Sequence, residues 1–367
     1  MTSQKKDCSI YWMRDWEDKA MEKDFHHHIV YALAKLAGFD KKIEGSDETE
    51  ARVIAYASQY VDDNCDRVYI VSYNDREYPI LLPSRIGTKT GNYNYLIMTQ
   101  DVNITSLDSN VQKYIFMPFH FLPGDYETVK RNGITNPYCT TENSANANKL
   151  LDEALHSGDF YRIGIALHTY ADTWSHQRFT AFEEKWNQVL EWYEDFKALA
   201  PNIGHADVWH LPDQICKTWR DHRFNGEPIS NKERAFDAAE KIYEKLYTQR
   251  KGTPWTDIRD DIEKIINLDG IGDSDEKKVY DERKRRIEGF IGEPLDYDKN
   301  KWVADVIGLE LEKSEKYDSS DPLGLKGEKL IPRNIHLKDG FENSHWYKFQ
   351  VAAKIQLSEV LKLTANL

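Results

Sequence analysis

One stretch constrains this chain more than any other: residues 162–179, RIGIALHTYADTWSHQRF. Its pattern predicts a single buried helix, with Ile163, Ile165, Ala166, Leu167, Ala171 and Trp174 as the apolar surface. Into that surface are set His168, Asp172 and His176, at steps of four. Residues four apart stack on nearly one face, because each step drifts only about 40° around the helix. Two imidazoles and a carboxylate on an apolar stripe are costly to bury unless something pairs with them. Ordinary hydrogen bonds suffice for one such histidine. For the triplet a metal ion is the simpler answer, since neutral imidazole nitrogen and carboxylate oxygen are ligands suited to zinc.

At 367 residues the chain can hold one large domain or two smaller ones, and its 10 Trp and 21 Tyr allow a substantial core. A net charge of −13 argues against an extended nucleic-acid groove, which needs a basic footprint, but leaves small phosphate esters open. Cys8, Cys65, Cys139 and Cys216 lie far apart and form neither a disulfide framework nor a cysteine zinc site. The first residues, MTSQKKDCSIYWMRDW, contain no apolar leader, and no run approaches a transmembrane length. The expectation is a soluble, cytoplasmic protein.

Taken in order, residues 1–20 read as a polar arm. Residues 21–39 follow as a helix with Phe25, Ile29, Leu33 and Leu36 inward, His26 on the same side, and Gly38 as its stop. A second helix, SDETEARVIAYASQYVDDN, has Asp47 and Glu50 in capping-box spacing. It closes on Asp62 and Asp63, two acids at a helix end whose dipole they oppose, which invites a cation. Residues 67–100 change to short β-like runs, a hairpin or small sheet. IFMPFHFLPGD places His120 in an aromatic loop, and 146–156 is helical. FEEKWNQVLEWYEDFKALA reads as an amphipathic helix ended by Pro201. PNIGHADVWHLPD then gathers His205, Asp207, His210 and Asp213.

Beyond 214 the pattern predicts helices at 231–247, 257–266 and 275–291, the last a solvated helix with charge pairs four apart. A loop-rich 310–340 and an amphipathic C-terminal helix docked on the core complete the chain. The expected organisation is a metal-binding helical core, 1–213, with a helical extension, 214–367, packed on it as one continuous domain and open to a protein partner.

Five separated segments thus each offer a histidine or acid: DFHHH, QYVDD, PFHF, HTYADTWSH and the His205 stretch. In that order they resemble the zinc-dependent phospholipase C family and the related single-strand-specific nucleases. More specifically, residues 21 to about 213 look like an uncharacterised bacterial family sharing DFH, AYASQYVDD, PFHFLP, LHTYADTWxHQ and IGHA…PD. The resemblance implies a multi-helix bundle of the phospholipase C type and makes His26, Asp62, His120, His168, Asp172, His176 and His205 metal ligands. It departs in two places. Those phospholipases use a processed N-terminal tryptophan, which has no counterpart here. Their final HxxxE is absent too, because Trp209 stands four residues after His205, so Asp207, His210 or Asp213 must substitute.

The expectation is two or three zinc ions, two being favoured, that activate a shared water against a small or soluble phosphoester. Asp172 sits beside the ions, Asp62 or Asp63 orients the water as general base, and Asp24 steadies the imidazole of His26 or His120. The alternative is a non-catalytic helical protein whose structural metal supports an interaction module. An HD-type phosphohydrolase ranks last, because no His-Asp dipeptide occurs.

Overall fold

The computed structural model describes residues 23–65, 68–73, 76–81, 85–89, 91, 93–101, 104–189, 202–268, 275–314 and 329–367. The chain is mainly helical, with small two-stranded antiparallel sheets. The first helix begins as a π-helix, Asp24–Ile29, and continues as α1, Val30–Leu36. Gly38 ends it with φ +104°, a conformation that favours glycine. In the wide π turn Asp24, Phe25, His26, His27, His28 and Ile29 are all buried. Burial of three successive imidazoles needs partners on several sides, and the C-terminal half supplies some of them.

Helix α2, Glu50–Asp63, is capped by Thr49, whose hydroxyl accepts from the Arg52 amide, and not by the Asp47–Glu50 box that the spacing suggested. Thr49 takes the extended conformation that a cap needs, while Asp47 points outward to Lys42. The β-like runs form two ladders, β1 Val68–Tyr73 with β2 Arg76–Leu81, and β3 Arg85–Gly87 with β4 Tyr93–Tyr95. His120 lies where a helix gives way to the expected aromatic loop. It ends a helical run, Ser109–Val111, Gln112–Phe116 (again π) and Met117–Phe119. Helix α3, Ala145–Ser157, leads into α4, Phe160–Ser175, capped by the Asp159 carboxylate. The predicted central helix therefore stops four residues early, and His176 is its C-terminal cap.

Helices α2 and α4 cross in direct contact at Gly164. A Cβ there would meet the Ile54 carbonyl oxygen and lie 2.6 Å from the Ala57 Cβ. Any side chain would force apart the two helices that carry Asp62 and the His168–Asp172 pair. This glycine fixes their register.

The segment after Phe179 begins not with the expected helix but with a 3₁₀ turn, Lys185–Asn187, that buries Trp186. The rest of that predicted helix, and the N-terminal arm, lie outside the described residues. A small ladder, β5 Thr218–Arg220 with β6 Pro228–Ser230, precedes α5, Asn231–Arg250, and α6, Trp255–Asn267. Helix α7, Glu276–Ile291, keeps its expected ion pairs, such as Arg286 to Glu282 at 2.9 Å, but is not simply solvated. Val279, Arg283 and Ile287 recur at four-residue spacing and are buried. After α8, Lys301–Val306, the predicted loops are instead a hairpin, β7 Ile307–Ser314 with β8 Lys329–Leu337, bulged at Glu310/Leu311. Helix α9, His345–Leu363, closes the chain and docks Trp346, Phe349, Ala352 and Ala353 on the core.

One apolar cluster runs from Phe25 through Leu167 and Ile262 to Val360. A second joins Tyr60 and Ile165 to Trp302 and Phe349. Each large side chain so buried contributes about 1.5–3 kcal/mol, and α4 lies in both clusters. Among the described residues no helix is long and apolar enough to cross a membrane. Cys139 is buried.

Candidate metal centre

Among the described residues, five imidazoles and three carboxylates meet in three groups, His26–Asp62–His168, His120–His168–Asp172 and His176–His205–Asp213, of which the first two share His168. Asp172 is the hub. Its Oδ1 lies 3.2 Å from His26 Nε2, and its Oδ2 lies 3.2 Å from both His120 Nδ1 and His168 Nε2. His176 Nδ1 is 3.7 Å from the same oxygen. Asp62 Oδ1 closes the group at 3.5 Å from His168 Nε2 and 3.8 Å from His120 Nδ1. The rings of His26 and His168 stack at 4.0 Å.

Backbone carbonyls decide which ring nitrogens carry protons. His120 Nε2 lies 2.9 Å from the Thr99 carbonyl, His176 Nδ1 2.9 Å from the His120 carbonyl, and His205 Nδ1 2.5 Å from the Trp209 carbonyl. A carbonyl only accepts, so each of those nitrogens carries a proton. Whenever the ring is neutral, the other nitrogen presents a lone pair. His120 Nδ1 faces Asp172, and His176 Nε2 and His205 Nε2 face Asp213, at 3.1 and 3.3 Å. Lone pairs converging on carboxylate oxygens repel unless a cation stands among them. Carbonyl-oriented imidazoles of this kind are a common feature of metal sites. In addition, the Nδ1 atoms of His26 and His168 are buried without a hydrogen-bond partner among the described residues. The donor set fits a metal such as zinc.

Protons are the competing solution. Burial opposes charge on His176, but Asp172 and Asp213 outweigh it and raise this imidazole to about 9. Burial pushes His168 down to about 3 and lowers His205. Burial would raise the carboxyls, yet the imidazoles around them hold Asp172 well below the carboxylate range and Asp213 at about 2. The carboxylates thus stay ionised, with His168 and His205 held neutral, the state in which a metal binds them, while at His176 a metal must displace a proton.

The geometry separates the residues that the sequence could not. Asp62 enters the centre and Asp63 does not: its Oδ2 accepts from Tyr297 at 2.6 Å and from Gln59 at 3.2 Å, on another face of α2. Neighbours on a helix diverge by about 100°, and here that turns Asp63 to Tyr297 and Gln59 while Asp62 faces His168. Asp207 accepts from the Val189 amide at 2.8 Å. His210 is half-buried outside the three groups and lends its carbonyl to the Asp213 and Gln214 amides. Asp24 steadies neither His26 nor His120; it forms a buried ion pair with Arg283. Asp213 is the acid that completes the His205 group. Its signal was its place in the same short loop as His205, which did not distinguish it from Asp207. The orienting carbonyls of Thr99, His120 and Trp209 carry no side-chain signature at all.

Fold and site together define a mainly helical protein built around a histidine–aspartate cluster suited to metal. The chain belongs to DUF6765, a family of unknown function, whose model matches residues 21–364. No curated protein and no solved structure matches it.

Proposed function

We propose that this chain is a metal-dependent phosphoester hydrolase, with two or three zinc ions held by His26, Asp62, His120, His168, Asp172, His176, His205 and Asp213. The observation that carries the reading is the convergence of carbonyl-fixed imidazole lone pairs on Asp172 and Asp213. Zinc bound there supplies a water of lowered pKa and a positive clamp for phosphoryl oxygens. Support for phosphoryl chemistry comes from the order of the ligand segments, which resembles that of the zinc-dependent phospholipases C. That likeness also supports a bundle of their type.

Each residue has a distinct task in this reading. Asp172, between both groups, is a ligand and sets the spacing of the centre. Asp62 and His205, with side chains 11% and 16% exposed against 0% for His168, form its solvent-facing side. Asp62 is therefore the group placed to orient an attacking water and to accept its proton. One ring N–H each of His120, His176 and His205 is consumed by a carbonyl, which leaves the other ring nitrogen of each to the metal. The substrate is a small or soluble phosphoester.

The test is elemental analysis of the purified protein, followed by hydrolysis of bis(p-nitrophenyl) phosphate and p-nitrophenyl phosphate before and after chelation. Two or three equivalents of zinc, chelator-sensitive turnover and loss of both in His168→Ala are expected. Metal-loaded protein that cleaves neither ester sinks the hydrolase reading and leaves a structural metal in an interaction module, a reading favoured by the deep burial of His168 and Asp172.

A further inference from the structure

We propose that residues 280–297 of the C-terminal half act as a brace that sets the register of the two earliest ligands, His26 and Asp62. The inference rests on the metal centre proposed above. The brace grips the sequence neighbours of both ligands while leaving the ligands themselves to the metal.

Arg283 is 1% exposed and pairs with Asp24, two residues before His26; its second guanidinium nitrogen donates to the Ile266 carbonyl at 3.3 Å. The Tyr280 hydroxyl lies 2.8 Å from His28 Nε2, and His28 Nδ1 meets His27 Nδ1 at 2.8 Å. Tyr297 packs its ring 5.0 Å from that of His27 and donates its hydroxyl to Asp63 at 2.6 Å. One tyrosine therefore touches the residue after His26 and the residue after Asp62. Glu293 repeats the link one level up, accepting from Tyr31 on α1 at 2.7 Å and from Arg52 on α2 at 2.8 Å, and pairing with Lys35.

Stability alone is a weak reason for such contacts. Buried ion pairs often add little over apolar packing of the same volume, and geometry is what they can specify. Geometry is what this site needs. The π turn carrying His26 is a rare winding, and a metal ion accepts ligand distances within about 0.2 Å. His26 and Asp62 come from different helices, so a small slip between the π-helix and α2 would open the His26–Asp62–His168 group. Among the described residues, 280–297 makes no hydrogen bond or ion pair to His176, His205 or Asp213; helix α7 reaches that group's loop only outside the brace, where Glu276 accepts from Gln214 at 3.1 Å.

The test uses the full chain. Tyr297→Phe deletes one hydroxyl and keeps the ring on His27; Glu293→Gln keeps shape and removes charge. Tyr243→Phe is the control, since it loses a hydroxyl bond to the Thr253 carbonyl instead. Each protein is titrated with Zn²⁺ against a chelator and with Co²⁺, whose visible spectrum reports coordination. The two brace variants are expected to bind one metal equivalent about tenfold more weakly, with an altered cobalt spectrum, while the remaining metal binding is unchanged. Their melting temperatures should fall no further than that of the control. Wild-type affinity and spectrum in both variants, or an equal loss of affinity in Tyr243→Phe, overturns the brace. Wild-type protein that takes up no metal overturns instead the reading on which it rests.

Discussion

The Asp172 group draws its donors from four elements: the π-helix (His26), α2 (Asp62), the end of the 109–119 helical run (His120) and α4 (His168 and Asp172). The Asp213 group takes His176 from the end of α4 and its other two members from one short loop. The first depends on how helices sit against one another, at Gly164 and in the brace. The second takes His176 through the long-range contact with the His120 carbonyl, but sets His205 and Asp213 by local backbone. Trp209 holds φ +55° and ψ −134°, a strained conformation for a residue with a side chain, and its carbonyl receives the His205 N–H. Such strain costs of order 1–3 kcal/mol and persists only where surrounding contacts impose it. The same kind of imidazole–carboxylate pairing is thus reached by long-range packing in one group and by local strain in the other.

The sharpest way to break this contrast is to remove each carboxylate in turn. Asp172→Asn should weaken metal binding more than about 100-fold and affect the whole centre, because Asp172 touches His26, His120, His168 and His176. Asp213→Asn should cost one equivalent and leave the other group occupied. Metal content after dialysis decides; loss of all metal from Asp213→Asn would mean that the two groups are a single unit.

A smaller effect is expected at the helix crossing. Gly164→Ala overpacks the α2–α4 contact and should destabilise the fold by about 1–3 kcal/mol, read as a lowered urea midpoint. It should also weaken metal binding in the Asp172 group and spare the Asp213 group. Equal loss in both would remove the distinction between long-range and local assembly.

The least effect lies in the acid limb of stability. Burial would raise the Glu293 carboxyl, but hydrogen bonds from Lys35, Tyr31 and Arg52 depress it from 4.5 to about 2. A depressed acid contributes stability that is full above its unfolded value and lost as pH falls through the folded one. Unfolding free energy from Glu293 should therefore decline between pH 4.5 and about 2. Glu293→Gln should flatten that decline, and an unchanged urea midpoint profile across the window would show that the brace carries no charge-dependent stability.

Much of the helical plan was legible because it is periodic. The apolar positions of 162–175 recur with the helical repeat, Gly38 stops a helix, and α9 shows its buried face in sequence. His168 and Asp172 were legible together for the same reason, being one turn apart. The hairpin β7–β8 and the buried face of α7 were not. In α7 one buried arginine stands among solvated charges, and composition alone does not separate Arg283 from Arg285 or Arg286.

The sequence by itself determined which residues have the chemistry to hold a metal, because imidazole and carboxylate at helical spacing are a local property. The tertiary structure alone decided which of them converge. Asp62 was chosen over Asp63 by the rotation of α2 against α4, and Asp213 over Asp207 by a loop in which Asp207 is spent on the Val189 amide. The lone pairs themselves are aimed by the Thr99, His120 and Trp209 carbonyls, groups that every residue carries and that only the folded chain can direct.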